Sequence, residues 1–530
     1  MPEPRGPARI PRDVLGRPPK ELKRLAREGC WAGSHAGRAR LYPRLIQRVS
    51  CRLVTPDALV YRDVAGRLFG KRSVSSHPLP EFLEGCPVPT YCLSPHGVTA
   101  LKKILICVGA LFPDITHSPL LPALAALLLH YSEDEAQCFE SLSRLIASNA
   151  PHAAYIDQSF LAHQASCMTF GDLASKHCPA AHKLIAGAAA NVLEVYSEWL
   201  SWLFPGLPLA SPVKVLYRIA LALLKQFRLS AAPAGPQGSD VKAELQAFVS
   251  NIAQHVSVDK LLERAFGIRL FSRKEIWLLH MANRKALVER GITVVQRSRT
   301  LSGTGSRPSF HLAVDMQKFS SSTVTAQEMR LVWSWLPERF SLFPPLLLFS
   351  TSQDGCSLQR VKFYTCCEGY EPTVLLIKTT EGEVCGAFLS SDWAERKKSG
   401  ATSGFFGTGE CFVFTVRPEA ERYEWVLIQK PELAKAVPPK HLAVPSAQGR
   451  GRLSPFLATR HFLLPSKTAS MFMSGSRDGI VIGGGGGQAL SLDASLLRGH
   501  TERCETFDNP PLCQENFQVQ LLEVWGFQSA

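Results

Sequence analysis

The hydrophobic period changes part-way along the chain, and this change restricts the possible folds more than any other feature of the sequence. Up to about residue 290, apolar residues recur with the i, i+3, i+4 spacing of amphipathic helices. One such run consists of Leu101, Ile104, Leu105, Val108, Leu111 and Phe112. After Pro345 the apolar residues fall instead into short stretches typical of strands. The sequence therefore predicts a multidomain chain: an all-α domain followed by an α+β domain that contains an antiparallel β-sandwich with flanking helices.

Shifts in composition set the predicted domain boundaries. Residues 1–19 are basic and rich in proline, which predicts a disordered tail. Residues 20–292 form the predicted helical domain, which is interrupted by a Pro- and Gly-rich loop at 229–240. Residues 293–321 include a run of Gly and Ser and are interpreted as a linker, and residues 322–530 form the second domain.

Short local signals predict individual elements. Ser272–Glu275 and Thr325–Glu328 have the capping-box pattern, so each should begin a helix. The first of these helices should run to about Arg290, before Gly291. Glu381–Gly382 predicts a hairpin turn. Strands are predicted at 374–378, 384–389, 412–416, 425–429, 479–482, 490–492 and 517–525.

The chain has an excess of basic residues, with 59 Lys and Arg against 45 Asp and Glu and a formal net charge of +14. This balance favours an anionic partner: a membrane surface, a nucleic acid or an acidic protein. The sequence has no RNA-binding signature and no zinc-finger spacing, so nucleic acid is the least favoured of the three. The longest apolar run, Leu120–Leu129, is too short to span a bilayer, and we expect any membrane contact to be peripheral.

The fifteen cysteines are scattered along the chain without a C-x-x-C pair. This spacing does not indicate a metal site, and no cofactor is expected. The N-terminal segment lacks the apolar core of a secretion signal, so the thiols are expected to be reduced in the cytosol. Cys504 and Cys513 are candidates for redox chemistry, although neither has an activating base nearby in the sequence.

The second half of the chain contains several sequence blocks in one order. In the central block, Gly404–Phe414, two aromatic residues lie between glycines and Glu410 opens an alternating apolar run. The full set is 354–355, 371–378, 386, 404–414, 483–487, 504–509 and 523–527. This ordered set resembles the TLDc domain. The resemblance implies a role in oxidative-stress resistance and binding to the vacuolar-type proton ATPase. Glu410 and Glu523 are not spaced as a catalytic pair, so a structural role is predicted for both.

The helical half carries a second set of matching segments, at 22–27, 35–38, 113–115, 123–131, 133–136, 202–204 and 215–220. This set resembles a TBC domain, the fold of Rab GTPase-activating proteins. The resemblance implies a small GTPase of the Rab or Arf type as a partner.

Active TBC domains supply two side chains to the bound GTPase. The arginine of an I-x-x-D-x-x-R motif stabilises charge on the transferred phosphoryl group, and the glutamine of a Y-x-Q-G motif orients water. In the matching segments Gly66 occupies the arginine position and Pro119 the glutamine position. The resemblance therefore implies degenerate finger positions, no catalytic residues and little or no GTPase activation. Rescue by the neighbouring Arg62 or Arg67 is the alternative.

The same resemblance implies a cationic pocket for phosphoinositide head groups, with Lys23, Arg27, Arg218 and Arg269 as its members. Clustered Lys and Arg side chains donate charge-assisted hydrogen bonds to phosphates. Lys23 and Arg27 are four residues apart and share one helical face. The alternatives are a solvated basic face for these two and a structural salt bridge for Arg269.

One departure from the TBC pattern affects this pocket. TBC domains carry an R-x-W/F-D-x-F helix ahead of the segment that holds Arg218, but here Pro208–Pro212 leads directly into Val213. About three helical turns are therefore absent. This indicates a splice variant or a diverged paralogue, unless neighbouring helices close the gap.

The sequence leaves three functions open. The first is a non-enzymatic regulator of vesicle traffic, cytoplasmic and peripheral on vesicle and plasma membranes, including presynaptic ones. It would bind phosphoinositide membranes through the TBC half and protein partners through the TLDc half. The second is an active GTPase-activating protein for a Rab- or Arf-type GTPase. The third is an oxidative-stress-resistance factor that acts through its TLDc half.

Overall fold

The computed structural model describes most of the 530-residue chain. The described residues are 14–27, 34–51, 55–70, 73–83, 88, 93–132, 134–148, 156–188, 192–203, 213–230, 244–245, 247–248, 251, 257–268, 273–292, 319–358, 362–397, 404–430, 433, 435–436 and 462–527. The chain divides into two compact units. The first comprises Met1–Gly171, Ala180–Trp277 and Ile292–Ser309, and the second comprises Asp172–Pro179, Leu278–Gly291 and Phe310–Ala530. Two short segments of the predicted helical domain, 172–179 and 278–291, thus belong to the second unit.

The first unit is built from α-helices, as the hydrophobic period predicts. In chain order they are α1 (Pro19–Arg27), α2 (His35–Gln47), α3 (Ala58–Phe69), α4 (Pro95–Leu111), α5 (Leu121–Ser132), α6 (Glu135–Ile146), α7 (Phe160–His177), α8 (Pro179–Ala188), α9 (Val192–Leu203), α10 (Val213–Ser230), α11 (Val258–Gly267) and α12 (Arg273–Glu289). The last part of α7 and most of α12 are counted with the second unit.

Helix α4 illustrates why these segments are helical. The Ser94 hydroxyl accepts a hydrogen bond from the Gly97 N–H at 3.1 Å, and Pro95 begins the helix where its missing N–H costs nothing. One face of α4 is buried, through Ala100, Leu101, Ile104, Leu105, Cys107 and Val108. Helix α5 is buried on nearly all sides and packs against α2, α4 and α6, so it lies at the centre of this helical core.

The N-terminal boundary of the folded region lies earlier than the sequence predicts. Residues 14–16 form a 3₁₀ turn, and the Val14 side chain is only 3% exposed. This end of the predicted 1–19 tail is therefore folded. Residues 204–212, where the R-x-W/F-D-x-F helix is missing, lie outside the described residues, as do 231–243 and 293–318.

The second unit combines helices with an extensive sheet. Its further helices are α13 (Ala326–Trp335), α14 (Glu338–Ser341), α15 (Thr351–Asp354), α16 (Lys362–Cys367) and α17 (Val426–Gln429). Its strands are β1 (Pro345–Ser350), β2 (Thr373–Thr379), β3 (Val384–Leu389), β4 (Phe412–Arg417), β5 (Glu421–Glu424), β6 (Lys435–Ala436), β7 (Phe462–Leu463), β8 (Met473–Gly475), β9 (Gly479–Ile482), β10 (Leu490–Asp493), β11 (Arg498–His500) and β12 (Asn516–Phe527).

Among the described residues, ten strands form one antiparallel sheet. Nine of them lie in the order β5-β4-β3-β2-β12-β11-β10-β9-β8, and the tenth, β1, pairs with β12. Strand β12 joins the β5-β4-β3-β2 part of this sheet to the β11-β10-β9-β8 part. Its first residues, 516–518, pair with β11, whereas Val519 to Trp525 pair with β2. The predicted fold class, an all-α domain followed by an α+β domain with an antiparallel sheet, is confirmed.

Several local predictions are also confirmed. Thr325 and Glu328 form a full capping box, in which the Glu328 N–H donates to the Thr325 hydroxyl at 3.2 Å and the Thr325 N–H donates to the Glu328 carboxylate at 2.7 Å. Gly382 lies in the turn between β2 and β3 with a φ of +87°. Helix α12 ends just before Gly291, which has a φ of +81°, while Ser272 lies outside the described residues.

The strand predicted at 425–429 is wrong, because this segment is the helical turn α17. The Trp425 indole N–H donates to the Ala469 carbonyl at 2.6 Å, and the Val426 N–H donates to the Thr506 carbonyl at 2.9 Å. All four apolar residues of the run are buried, and an apolar run this short fits a buried strand or a buried helical turn equally well. Strands β1, β5, β6, β7, β8 and β11 were not predicted, and all of these except β1 have four residues or fewer.

Among the helices of the described residues, none combines the length and the hydropathy needed to cross a membrane.

Candidate functional site

Helix α1 is fixed to the helical unit by its apolar face. Leu25 is 6% exposed and lies in a cluster with residues of α2, α5 and the turn that precedes α1. The other members are Val14, Leu15, Leu22, Ala26, Leu41, Tyr42, Leu45 and Tyr131. Glu21 of α1 forms an ion pair with Arg17, which lies just before the helix. Lys23 is exposed, so its ammonium group lies at the surface, on a helix whose other face is packed against the helical unit.

The other three predicted pocket residues are described less fully. Arg27 is the last residue of α1, and its side chain lies outside the described residues, as does all of Arg269. Arg218 lies on α10, half-buried between the buried Tyr217 and Ile219. Lys23 and Arg218 thus come from different helices, and the four-residue pocket stays a prediction.

Helix α2 is held to α5 by residues of the TBC-like pattern. The Arg38 guanidinium donates to the Tyr131 hydroxyl and lies over the ring, 5.3 Å from its centroid. The His35 ring nitrogen Nε2 is 3.1 Å from the His130 carbonyl oxygen. Tyr42 packs edge-on against Tyr131, and its burial raises the pKa of the Tyr42 hydroxyl to about 12. This part of the pattern therefore serves to support α1 and α5.

Gly66, which the TBC resemblance places at the arginine-finger position, lies on α3. The Asp57 carboxylate caps this helix by accepting from the Leu59 and Val60 N–H groups at 3.0 and 2.9 Å. Tyr61 anchors the inner face, and its ring centroid is 5.0 Å from that of Phe139. Gly66 itself is exposed, and a Cβ atom placed there would meet no atom within 4 Å. The outer face of α3 is therefore sterically open.

The two alternative arginines project differently from α3. Arg62 and Arg67 are both exposed. Because residues four apart share a helix face, Arg62 lies one turn before Gly66 on the same face. Arg67 is rotated by about 100° from Gly66. Arg62 is thus the better placed of the two to reach toward a partner that contacts the Gly66 face.

Pro119, which the resemblance places at the glutamine position, lies in the loop between α4 and α5. Two backbone bonds fix this loop: the Thr116 N–H donates to the Gln158 carbonyl at 2.9 Å, and the Ser118 N–H donates to the Phe82 carbonyl at 3.3 Å. Ser118 is fully buried and Pro119 is half-buried. A side chain at position 119 is therefore held in one place by the fold.

A buried polar cluster lies beneath this loop, and no sequence pattern predicts it. The His163 ring is 2% exposed, with Nε2 2.9 Å from the Ser197 hydroxyl and Nδ1 3.8 Å from the Asp157 carboxylate. Burial by itself lowers the pKa of His163, but the nearby Cys167 and Asp157 outweigh it and raise the pKa to about 10. His163 and Cys167 are both buried, so neither side chain is open to solvent.

The two acids singled out in the TLDc-like half are structural, as predicted. The Arg339 guanidinium donates to the Glu410 carboxylate at 2.6 Å, and both residues are about 5% exposed. The Glu523 carboxylate accepts from the Ser321 hydroxyl at 2.6 Å, the Ser322 N–H at 2.9 Å and the Trp525 indole N–H at 3.1 Å. Glu523 thus ties the segment before α13 to strand β12.

A further acid lies close to the Arg339–Glu410 pair. Burial raises the pKa of Glu371 to about 7. The carboxylates of Glu395, Asp392 and Glu410 raise it further, and the positive charge of Arg339 opposes them. This clustering of acids was not visible in the sequence, because Glu371, the Asp392–Glu395 segment and Glu410 are three separate parts of the chain.

Within the described residues, no group of three or more His, Cys, Asp or Glu side chains could hold a metal ion.

Comparison with known proteins gives the family. Residues 317–436 and 454–528 match the model of the TLDc domain, and residues 88–230 match that of the Rab-GTPase-TBC domain. The chain is 53% identical over 528 residues to TBC1 domain family member 24 of Xenopus tropicalis, and this match covers 96% of the chain and 92% of that protein. The chain belongs to this family. The resemblances to the TBC and TLDc domains are therefore confirmed.

Two more distant relatives extend the comparison. The GTPase-activating protein skywalker of Drosophila melanogaster is 29% identical to the chain over 96% of its length and 87% of that protein. A crystal structure of the TBC domain of Skywalker/TBC1D24 from Drosophila melanogaster in complex with inositol(1,4,5)triphosphate aligns with a TM-score of 0.41 and 27% identity. That alignment covers 48% of this chain and 93% of the other.

Proposed function

We propose that the chain is a regulator of vesicle traffic that binds phosphoinositide-containing membranes through its TBC half and protein partners through its TLDc half. In this proposal it supplies no arginine finger and works at the cytoplasmic face of vesicle and plasma membranes, including presynaptic ones. One observation carries the proposal: the surface of the helical unit combines the exposed Gly66, which the TBC resemblance places at the finger position, with an exposed lysine on a basic helix whose apolar face is buried. Membership of a family with a TBC domain supports a small GTPase of the Rab or Arf type as a binding partner.

The membrane part of the proposal rests on charge. Lys20, Lys23 and Arg24 are all exposed on α1, and the whole chain has a net charge of +14. Each basic residue near an anionic membrane surface contributes about 1 kcal/mol, and phosphoinositide phosphates accept charge-assisted hydrogen bonds in addition. Because the apolar face of α1 is buried in the helical unit, binding requires no unfolding of the helix.

Liposome co-sedimentation of the full chain tests this part. Vesicles containing phosphatidylinositol 4,5-bisphosphate are compared with phosphatidylserine vesicles of the same total charge, over a range of salt. We expect binding that favours the phosphoinositide vesicles, weakens with salt and is lost in Lys23→Ala/Arg27→Ala. The control is Lys183→Ala, which removes an exposed lysine from α8. Equal binding by the double variant and the wild type would reject the pocket.

An active GTPase-activating protein is the second candidate, since Arg62 lies on the Gly66 face and the Drosophila relative is named as such a protein. Single-turnover GTP hydrolysis with a panel of Rab and Arf GTPases distinguishes the two. Our proposal predicts no stimulation by the wild type. Stimulation that disappears in Arg62→Ala, but persists in the exposed control Arg40→Ala, would establish the second candidate instead.

For the TLDc half we propose a protein-binding role, with the vacuolar-type proton ATPase as the partner. The match over 317–436 and 454–528 supports this, because it covers nearly the whole second unit. Purified ATPase should bind the immobilised chain and should still bind Lys23→Ala/Arg27→Ala. Protection of cells from peroxide by that same double variant would favour the third function, a stress factor that does not need the TBC half.

A further inference from the structure

A short turn that follows α3 carries three exposed serine side chains. Residues 74–76 form a single 3₁₀ turn, and none of them is buried. Ser73, Ser75 and Ser76 are all exposed, and the hydroxyl oxygens of Ser73 and Ser75 lie 2.6 Å apart. These hydroxyl groups can therefore be reached by an enzyme in solution.

The hydrogen bonds of this turn are mostly internal. The Ser76 N–H and the Ser76 hydroxyl donate to the Ser73 carbonyl at 3.1 and 2.7 Å, and the Ser75 N–H donates to the Ser73 hydroxyl at 3.3 Å. A further bond reaches α4, where the Lys102 ammonium group donates to the Ser75 carbonyl at 3.3 Å. Because these bonds are local and exposed, the turn can open into the cleft of an enzyme without disturbing the helical core.

The sequence before the turn is basic. Lys71 and Arg72 precede it, and Arg72 is three residues before Ser75. A positive charge at this spacing is what basophilic serine kinases recognise, because acidic side chains line their substrate grooves. Among the serines of the described residues, Ser75 is the one that follows an arginine by three residues, whereas Lys71 and Arg72 themselves lie outside that part of the chain.

Two threonines show that this spacing is not sufficient by itself. Thr501 follows Arg498 by three residues, and Thr506 follows Arg503 by three residues. Both threonine side chains are fully buried. Ser75 therefore differs from them in combining the spacing with an accessible hydroxyl group.

We propose that Ser75 is phosphorylated by a serine kinase that recognises arginine three residues before its target, and that Lys102 binds the phosphate. In this reaction the Ser75 oxygen attacks the γ-phosphorus of magnesium-bound ATP. The bond from that phosphorus to the β–γ bridging oxygen breaks, ADP leaves, and the hydroxyl proton passes to the catalytic base of the kinase. The inference is independent of membrane binding and of GTPase binding.

Lys102 is suited to bind this phosphate. Its ammonium group lies next to the Ser75 backbone and forms no ion pair with the described acids, whereas the adjacent Lys103 is paired with Glu135 at 2.7 Å. A phosphoserine carries a charge of about −1.5 to −2 and three strong acceptor oxygens, so it accepts charge-assisted hydrogen bonds from a lysine within reach. Phosphorylation should therefore fix the turn to α4 more firmly than the single bond to the Ser75 carbonyl does.

In vitro phosphorylation of the full chain tests the first part. The protein is incubated with magnesium and ATP and either the catalytic subunit of cAMP-dependent protein kinase or calcium/calmodulin-dependent kinase II. Tryptic peptides are then fragmented by electron transfer, which distinguishes Ser73, Ser75 and Ser76. We expect phosphate at Ser75 with at least one of the two kinases, and none at the buried Thr501 and Thr506.

Two variants test the recognition of this site. Arg72→Ala removes one charged contact to the kinase and should lower the rate of phosphorylation at Ser75 by about tenfold or more. Arg330→Ala, at an exposed position of α13, is the control and should be phosphorylated at the wild-type rate. In Ser75→Ala, which removes only an exposed hydroxyl group, residues 73–76 should carry almost no phosphate.

Phosphorus NMR of the phosphorylated chain over a range of pH tests the second part. The positive charge of Lys102 should hold the pKa of the Ser75 phosphate below that of phosphoserine in a short peptide of residues 71–78. Lys102→Ala should return the pKa to the peptide value, whereas the exposed control Lys260→Ala should leave it lowered.

Three results would overturn the proposal. The first is the absence of phosphate at Ser75 with both kinases. The second is a rate of phosphorylation at Ser75 that Arg72→Ala leaves unchanged. The third is a phosphate pKa that is the same in the wild type, in Lys102→Ala and in the peptide, which would rule out Lys102 as its partner.

Discussion

The residues of interest are exposed in the helical unit and buried in the sheet unit. In the helical unit the residues of interest, Lys23, Arg62 and Gly66, lie exposed on helices whose opposite faces are anchored by apolar packing. In the sheet unit Arg339, Glu410 and Glu523 are buried, and each has a specific partner. Substitutions in the first group should therefore change binding without changing the fold, whereas substitutions in the second should change the fold first.

The largest effect is expected at the buried ion pair. Glu410→Ala leaves the Arg339 guanidinium buried without its carboxylate, which should lower the free energy of unfolding by about 3–5 kcal/mol. Urea unfolding of the full chain, followed by tryptophan fluorescence, measures this loss. The surface pair of Lys397 with Glu368, at 2.7 Å, is the control, and Lys397→Ala should cost less than about 1 kcal/mol. Similar losses at both sites would remove the contrast between buried and exposed pairs.

Glu523→Gln should have the next largest effect. The variant keeps the shape of the side chain but replaces a charged acceptor of three hydrogen bonds by a neutral amide, at a cost of about 1.5–3 kcal/mol. Thermal unfolding of the full chain gives the change. Glu515→Gln, at an exposed position just before β12, is the matched control and should leave the midpoint unchanged. A stable Glu523→Gln protein would mean that the 319–322 segment does not depend on this acid.

Glu371 should make the stability of the sheet unit depend on pH. Its pKa is raised in the folded chain from 4.5 to about 7, so between these values the folded state binds a proton that the unfolded state has released. The contribution of Glu371 to stability is therefore full below pH 4.5 and is lost as the pH rises toward 7. We expect Glu371→Gln to flatten this part of the profile of melting temperature against pH. A profile that the variant leaves unchanged would contradict the shift.

The smallest effect is expected at Gly66, and it has the opposite sign. Gly66 lies inside α3 and a Cβ atom there meets nothing, so Gly66→Ala should stabilise the chain by about 0.5–1 kcal/mol. Thermal unfolding is again the measurement. Gly483→Ala is the control in the other unit: its φ is +76° and the added Cβ would lie 2.8 Å from the Cys504 sulfur, so that variant should be destabilised. Destabilisation at Gly66 would show that the α3 face is covered.

The structural features that were predicted from the sequence are those that depend on neighbouring residues. The capping box at Thr325, the turn at Gly382 and the end of α12 were all predictable, because each depends on a few consecutive side chains or on one glycine. The segment 425–429 was not, since its apolar run is buried in either conformation and the Trp425 bond to Ala469 decides between them. Local sequence patterns therefore predict where an element lies, whereas tertiary contacts determine whether an ambiguous segment is a strand or a helical turn.

The candidate sites divide in the same way. The helical setting of Lys23 was predicted from spacing alone. The partners of Glu410 and Glu523 could not, because Arg339 and Ser321 are distant from these acids in the chain. A single sequence contains no signal for such pairs, and only the order of strands in the sheet brings them together.

Strand β12 has a consequence for how the second unit is made. Its neighbours β1, β2 and β11 all precede it in the chain, so during synthesis they are complete while their shared partner is still missing. Until residues 516–527 emerge, the edges of these three strands are open to other chains, and the unit cannot close by local steps. Any change that delays or removes this one strand should therefore expose the whole sheet to aggregation, even though every other strand remains intact.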